Sequence, residues 1–170
     1  MPAPTSHIDT YIRDNMPPEE LWPDMDYSVL PELAAYPARM NAATELLDRT
    51  IETYGADRPA VIFGDVTWSY GDLLATANRI ANVLVEDYGF KPGERVLIRE
   101  RELIYMIDKA KVQLAISEAS LAGDIEGARQ KTETLRDILY FGDDRADGLE
   151  KRMTTKAADF ADIDTAADDP

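Results

Sequence analysis

Residues 59–73, Pro-Ala-Val-Ile-Phe-Gly-Asp-Val-Thr-Trp-Ser-Tyr-Gly-Asp-Leu, decide the fold class of this chain. Two short runs of strand-forming residues flank Gly64-Asp65, which predicts a two-residue hairpin turn with glycine in the first position. Ser69 then stands three residues before Asp72, a spacing that approximates a capping box. The stretch therefore predicts a β-hairpin that leads directly into an α-helix.

Two amphipathic helices lie on either side of this hairpin. The first is predicted from Asn41, as its cap, to Tyr54, because apolar residues recur there at steps of three and four. The second begins at Ser69 and carries its apolar stripe as far as Tyr88. Glycines follow both helices, at the position where a helix end favours a residue that tolerates positive φ.

The rest of the chain alternates between strand and helix patterns. Strands are predicted at 60–63, 66–69, 95–98, 112–116 and 138–141, and further helices at 102–109, 124–134 and 149–160. Strands that alternate with helices indicate parallel pairing. The predicted fold class is α/β, with an incomplete, largely parallel sheet flanked by helices, a β-hairpin and a proline-rich N-terminal arm.

The arm covers residues 1–40, and residues 41–170 form one partial domain in this interpretation. Six prolines before residue 32 fix φ and remove amide donors. Between them we expect one short helix at 6–15, capped by Thr5 or Ser6. Beyond residue 160, acidic residues predict a solvated tail: Asp162, Asp164, Asp168 and Asp169.

Composition narrows the classes of function. The chain has 33 acidic and 18 basic residues, a formal charge of −15, and no cysteine. A field of this sign repels phosphate backbones, so we expect no nucleic-acid partner. Charges interrupt every apolar run and the N-terminus lacks a secretory signal, so we expect no membrane partner and a cytoplasmic location.

Several segments, in this order, resemble the adenylate-forming superfamily of acyl-CoA synthetases. The matching blocks are Arg13-Asp14-Asn15-Met16-Pro17-Pro18 with Leu21-Trp22-Pro23, then Thr67-Trp68-Ser69-Tyr70-Gly71-Asp72-Leu73-Leu74, then Ala77 to Gly89 with Gly93-Glu94-Arg95-Val96. The first block is similar to the branch that activates benzoate- or aminobenzoate-type acids. The resemblance implies ligation of an acid to CoA through an acyl-adenylate, with ATP, Mg²⁺ and CoA as cofactors of the full-length family and none bound by this chain.

Two departures from the family pattern limit this resemblance. After the predicted strand at 95–98 the family has a further strand–helix–strand unit of roughly 30 residues, whereas here 99–101 runs directly into Glu102. The acidic-proline step at 168–170 resembles the one that precedes the family's phosphate loop. We therefore expect an N-terminal fragment with an internal deletion, without the phosphate loop or the later catalytic motifs.

The chemistry-bearing residues have simpler structural explanations. His7 lies in a terminal arm, which is a poor position from which to hold a catalytic base within hydrogen-bond reach of its proton. Gly123 and Gly127 flank acidic residues, which repel phosphate. Packing, solvated turns or a solvated helix face explain the remaining candidates. The set is His7, Trp22, Trp68, Tyr70, Gly123, Gly127, Asp143, Asp144, Asp168, Asp169, Lys109, Lys111, Arg129 and Lys131. We assign no catalytic, cofactor-binding or metal-binding residue.

Three hypotheses about function remain open at this point. The chain is a truncated ligase that is inactive alone, or a non-catalytic binding or assembly module, or one part of a split ligase that a second chain completes. We expect the incomplete sheet to drive self-association or to receive the complementing ligase fragment.

Overall fold

A computed structural model describes residues 7–23, 29–97 and 103–166 of the chain. Its backbone divides into two units, one formed by residues 1–73 with 161–170 and the other by residues 74–160. The junction at 98–102, where the internal deletion is predicted, lies outside the described residues, as do Thr5, Ser6, Asp168 and Asp169. The division into an arm at 1–40 and a partial domain at 41–170 stays a prediction.

The helix predicted at 6–15 is only one turn long, α1 (Tyr11–Asp14). The Asp9 carboxylate accepts a hydrogen bond from the amide of Tyr11 at 2.9 Å, and the Thr10 hydroxyl donates to Asp14 at 2.6 Å. These local bonds favour a single turn over a longer helix. A 3₁₀ turn at Glu19–Leu21 and the short helix α2 (Pro31–Ala34) follow.

The predicted helix at 41–54 is present, but its first half is wider than an α-helix. Asn41 caps it, because its side-chain oxygen accepts from the amides of Ala43 and Thr44 at 2.9 and 3.3 Å. A π-helical segment, Thr44–Asp48, then continues into α3 (Arg49–Tyr54). Gly55 follows with φ of 88°. The apolar period predicted the helix and its ends, but not the π-helical turn.

The predicted hairpin is confirmed. Strand β1 (Pro59–Phe63) pairs antiparallel with β2 (Val66–Ser69). Phe63 lies opposite Val66, so the turn has two residues. Its first residue, Gly64, has φ of 57°, a backbone conformation that glycine adopts without the steric cost other residues meet.

The capping box at the next helix is also confirmed. Helix α4 (Tyr70–Asn82) continues as a π-helical segment, Val83–Asp87. At its start the Ser69 amide donates to the Asp72 carboxylate at 3.0 Å, and the Asp72 amide donates to the Ser69 hydroxyl at 3.1 Å. Gly89 ends it with φ of 62°, as the sequence predicted.

The second unit contains the parallel sheet. Its strands are β3 (Arg95–Leu97), β4 (Val112–Glu118) and β5 (Asp137–Phe141), in that spatial order and all parallel. Helices α5 (Leu103–Ala110) and α6 (Ala122–Arg129) occur between successive strands along the chain. One apolar cluster includes Ile107, Val112 and Ile125, and a second joins Val83, Leu114 and Leu139. The predicted α/β class is therefore confirmed.

Two predicted helices extended too far towards their C-terminal ends. Helix α6 ends at Arg129 rather than Thr134, and α7 (Leu149–Met153) ends well before Phe160. Beyond α7 the hydroxyls of Thr154 and Thr155 donate to carbonyls three residues earlier, at 2.7 and 3.0 Å. Such side-chain bonds compete with helix continuation.

The chain after α7 instead lies against α4. The Asn78 amide group donates to the carbonyl of Ala158 at 3.0 Å, and that of Asn82 donates to the carbonyls of Ala157 and Asp159 at 3.1 and 2.9 Å. These tertiary partners hold the segment in a non-helical conformation.

The predicted solvated tail is confirmed in part for residues 162–166: Asp162 and Asp164 are exposed, but the backbone of the segment pairs with the rest of its unit. Arg39 and Ala166 form an antiparallel bridge, the Met40 amide donates to the Thr165 carbonyl at 3.0 Å, and the Thr165 hydroxyl returns a bond to the Met40 carbonyl at 2.9 Å. Ala166 is buried. Acidic composition suggested solvent exposure, but backbone pairing does not depend on side-chain charge.

Candidate functional site

In parallel α/β sheets, ligands gather at the carboxyl ends of the strands. Here β5 ends at Phe141, and an open cavity of about 460 Å³ lies beside the turn that follows it. Its lining residues come from that turn and from the region of α7: Gly142, Asp143, Asp144, Glu150, Lys151 and Thr154. This strand-end cavity is the candidate site that the fold itself indicates.

The polar groups of the strand-end cavity already contact one another. The Gly142 amide donates to the Glu150 carboxylate at 2.8 Å, and the Arg145 side chain donates to both carboxylate oxygens of Asp143 at 2.9 Å. Arg145 also lies over the Tyr140 ring, 4.2 Å from its centroid. The Glu150 carboxylate therefore accepts the hydrogen bond that the Gly142 amide could otherwise donate to an anion. This arrangement disfavours phosphate binding at the strand end.

Gly142 has φ of 84°, and a Cβ atom there would lie 3.4 Å from the side chain of Glu118. The glycine therefore permits the turn through its backbone conformation.

Tyr140 has a strongly raised pKa but a structural role. Burial, followed by the hydrogen bond from its hydroxyl to Glu126 at 2.7 Å, raises the pKa of Tyr140 to about 12. Glu126 belongs to α6 and Tyr140 to β5, so this bond ties the helix to the sheet. The phenol stays protonated near neutral pH.

The glycine-containing segment 123–127 is part of α6, not a loop. Ile125, between the two glycines, is 1% exposed in the apolar core. Its helical backbone pairs internally, and Asp124 and Glu126 add negative charge.

Among the basic candidates, Arg129 and Lys109 contact neighbours inside the second unit. Arg129 donates to the Arg136 carbonyl at 2.6 Å, and Lys109 lies over the Tyr105 ring at 5.6 Å from its centroid. Lys111 adopts φ of 51°, in the left-handed region, just after α5. None of Lys109, Lys111, Arg129 and Lys131 lines the strand-end cavity.

His7 contacts the 162–166 segment, which belongs to the same structural unit although it lies far along the chain. Its Nε2 lies 2.8 Å from the Asp164 carbonyl oxygen, and Arg39 contacts its ring nitrogens. Arg39 also pairs with the Asp164 carboxylate at 3.0 Å. His7, Arg39 and Asp164 thus anchor the arm to the 162–166 segment, a role that sequence reasoning did not assign.

The aromatic candidates do not form a common site. The Trp22 indole donates to the Pro17 carbonyl at 2.6 Å within the arm. Trp68 lies on the hairpin with 39% of its surface exposed. Tyr70 begins α4 and donates its amide to the Arg58 carbonyl at 2.9 Å. Within residues 7–23, 29–97 and 103–166, no group of three or more His, Cys, Asp or Glu side chains could hold a metal ion.

An ion-pair cluster that the sequence did not reveal surrounds Asp87. Arg152 donates to its carboxylate at 2.9 Å, and Lys156 bonds both Asp87 and Glu86, the latter at 2.8 Å. The hydrogen bond from Lys156, with that from Arg152, lowers the pKa of Asp87, and the same contact raises the pKa of Lys156. The partners lie 65 to 70 residues apart, so no local pattern signals them.

Comparison with known sequences finds a match for a central stretch of the chain. Residues 47–107 match the family model described as AMP-binding enzyme. A stretch of 52 residues is 42% identical to surfactin synthase subunits 2 and 1 of Bacillus subtilis, covering 31% of this chain and 1% of each relative. Over this minority of its length, the chain is similar to part of an AMP-binding enzyme.

Solved structures of adenylate-forming enzymes share the fold. The anthranilate CoA ligase AuaEII, in complex with anthranoyl-AMP, aligns with 85% of this chain at a TM-score of 0.68 and 17% identity. MatB from Rhodopseudomonas palustris aligns with 76% at 0.63 and 24% identity, and the N-terminal domain of FACL13 from Mycobacterium tuberculosis with 76% at 0.62 and 21% identity. This chain spans only 32%, 31% and 40% of those chains.

Among the residues described, no helix of the structure is both long and apolar enough to cross a membrane.

Proposed function

We propose that this chain supplies the N-terminal part of an ATP-dependent, AMP-forming acid–CoA ligase whose substrate is an aromatic carboxylic acid. The supporting observation is the fold shared with the anthranilate CoA ligase AuaEII over 85% of this chain. The proline-rich arm, with its similarity to the benzoate and aminobenzoate branch, supports the aromatic substrate. A cytoplasmic location belongs to the same proposal.

The complete reaction has two steps. The acid carboxylate attacks the α-phosphorus of ATP, forming the acyl-adenylate and releasing pyrophosphate. The thiol of CoA then attacks the acyl carbon and displaces AMP. Both steps need amide donors and cations around developing negative charge.

The lining of the strand-end cavity supports the absence of a triphosphate site in this proposal. At the strand-end cavity the Gly142 amide is held by Glu150, and the acids Asp143 and Asp144 flank it. The net charge of −15 adds a repulsive field. The chain is accordingly inactive alone in this proposal, and ATP, Mg²⁺ and CoA are bound by the completed ligase.

In the alternative in which this chain is one part of a split ligase, a second polypeptide completes the ligase by docking on it. Strands β3 and β5 are the outer strands of the described sheet, and an outer strand presents unpaired backbone groups to a partner. Self-association through the same edge is the competing possibility, and a purely non-catalytic assembly module is the alternative function.

A pyrophosphate-release assay tests the proposal. The purified chain, incubated with ATP, Mg²⁺, CoA and a panel of benzoate-type acids, should release no pyrophosphate above the protein-free blank. Under the same conditions AuaEII with anthranilate serves as the positive control. Turnover by the chain alone that persists through repurification would contradict the proposal.

A further inference from the structure

The chain after α7 lies on the surface of the second unit and buries little of its own side-chain area. Residues 154–159, called here the strap, lie along α4, and every one of them except Lys156 is exposed. Leu149 and Met153, which pack against the second apolar cluster, belong to α7 and precede the strap. A segment that contributes so little buried apolar surface opens at a lower free energy than the core does.

Amide side chains of α4 hold the strap by its backbone. Asn82, which is 8% exposed, donates to the carbonyls of Ala157 and Asp159 at 3.1 and 2.9 Å. Asn78 donates to the carbonyl of Ala158 at 3.0 Å. Because water can replace neutral hydrogen bonds of an exposed segment, each of these bonds contributes only modestly to keeping the strap closed.

The carboxylate of Asp87 holds the one cation of the strap. Lys156 contacts both Asp87 and Glu86, the latter at 2.8 Å, and its side chain is 10% exposed. Asp87 also accepts a hydrogen bond from Arg152 at 2.9 Å. Arg152 belongs to α7 and donates to the Asp147 carbonyl at 2.8 Å, so its position does not depend on the strap.

The two cations that contact Asp87 therefore behave differently when the strap lifts. Asp87 keeps its hydrogen bond from Arg152, while Lys156 passes into water. The carboxylate is not left without a partner in the open state, which removes the large penalty of an uncompensated charge. Opening breaks only the Lys156 contacts and the three hydrogen bonds from Asn78 and Asn82.

We propose that the strap is a latch that opens while the parallel sheet stays folded, with Lys156 as the releasable ion-pair partner and Asp87 as the fixed one. Opening uncovers the amide groups of Asn78 and Asn82 on α4. The latch is independent of the proposed ligase function, because it consists of contacts inside the second unit alone.

Limited trypsin digestion of the full chain measures the opening, because trypsin cleaves after Lys156 only where that side chain and the flanking backbone are accessible. When opening and closing are faster than cleavage, the cleavage rate reports the population of the open form. Mass spectrometry quantifies early cleavage at this bond. Asp87→Asn should accelerate it about fivefold, as expected for an ion pair at the upper end of the partly exposed range.

Ile107→Val is the matched control. Ile107 is 0% exposed in the other apolar cluster, and loss of one of its carbon atoms destabilises the core by a similar amount. It should leave the rate of cleavage after Lys156 unchanged. Equal acceleration by both variants would show that the strap opens only when the whole unit unfolds, and overturns the proposal. An unchanged rate for Asp87→Asn overturns the role of the ion pair.

Hydrogen exchange gives a second readout that does not depend on the protease. The amides of Thr155 and Lys156 donate to the carbonyls of Arg152 and Met153 at 3.2 and 3.1 Å. They should exchange faster than the amides of β4 in wild type, and faster still in Asp87→Asn. Equal protection of the strap and β4 in wild type contradicts local opening.

If Asp87→Asn fails to fold by circular dichroism, Glu86→Gln carries both tests, because it removes the other carboxylate that contacts Lys156. Cleavage after Lys156 and exchange of the strap amides should change in the same direction, and unchanged rates overturn the proposal. Pyrophosphate release by the chain alone, in contrast, contradicts only the proposed function and leaves the latch intact.

Discussion

Arg152 donates to the carboxylate of Asp87 over 2.9 Å, and this ion pair joins two segments that lie 65 residues apart. Lys156 contacts the same carboxylate. The cluster joins α7 and the residues after it to the π-helical segment Val83–Asp87 that continues α4.

We predict that Asp87→Asn destabilises the protein by about 1 kcal/mol at neutral pH, the upper end for a partly exposed pair within a network. The pKa of Asp87 is lowered in the folded state by Lys156 and then by Arg152. Its contribution is therefore present above the unfolded pKa of about 3.9 and is lost as pH falls through the folded pKa.

Urea unfolding at pH 7 and in acid measures both effects. The difference between wild type and Asp87→Asn should vanish in acid, and the exposed control Asp144→Asn should show little difference at either pH. A difference that persists unchanged in acid contradicts this electrostatic assignment.

The capping box at α4 gives a second prediction. Ser69→Ala should lower the free energy of unfolding by about 1 kcal/mol, because the hydroxyl that accepts from the Asp72 amide is lost. The exposed Ser120→Ala is the matched control and should stay within about 0.5 kcal/mol of wild type. Equal midpoints for both variants in urea would show that this cap contributes nothing.

Local and long-range features were not equally predictable from the sequence. The hairpin turn, the capping box and the glycine helix ends depend on neighbouring residues, and all were predicted. The non-helical segment after α7 and the pairing of Arg39 with Ala166 depend on partners far along the chain, and both were missed. The sequence alone showed no local phosphate-binding pattern. The hydrogen bond between Gly142 and Glu150, in contrast, could be identified only from the structure.

Tyr140 gives a third prediction, which concerns alkaline pH. Because its pKa is raised to about 12, the folded state favours the neutral phenol. The stabilisation is complete below the unfolded pKa of about 10 and is lost as pH rises towards the folded value. Ultraviolet titration should show one tyrosine ionising near 12 in wild type, and Tyr140→Phe should remove that step. A titration in which Tyr140→Phe removes a step near 10 contradicts the prediction.

Two positions with positive φ should respond oppositely to substitution. Lys111 has φ of 51°, so Lys111→Gly relieves steric strain and should stabilise the protein by up to about 1 kcal/mol. Gly142→Ala, at φ of 84°, should destabilise it by about 1 kcal/mol. Thermal unfolding compares the two variants with wild type. A lower midpoint for Lys111→Gly would show that other contacts of Lys111 outweigh its backbone strain.

Calorimetric titration with MgATP tests the central claim most directly, namely that this chain has the fold of an adenylate-forming enzyme's N-terminal part without a nucleotide site of its own. The acidic strand-end cavity and the net charge of −15 predict only dilution heat at millimolar MgATP, while AuaEII titrated in parallel should bind. A saturable isotherm of unit stoichiometry for this chain alone would contradict the account.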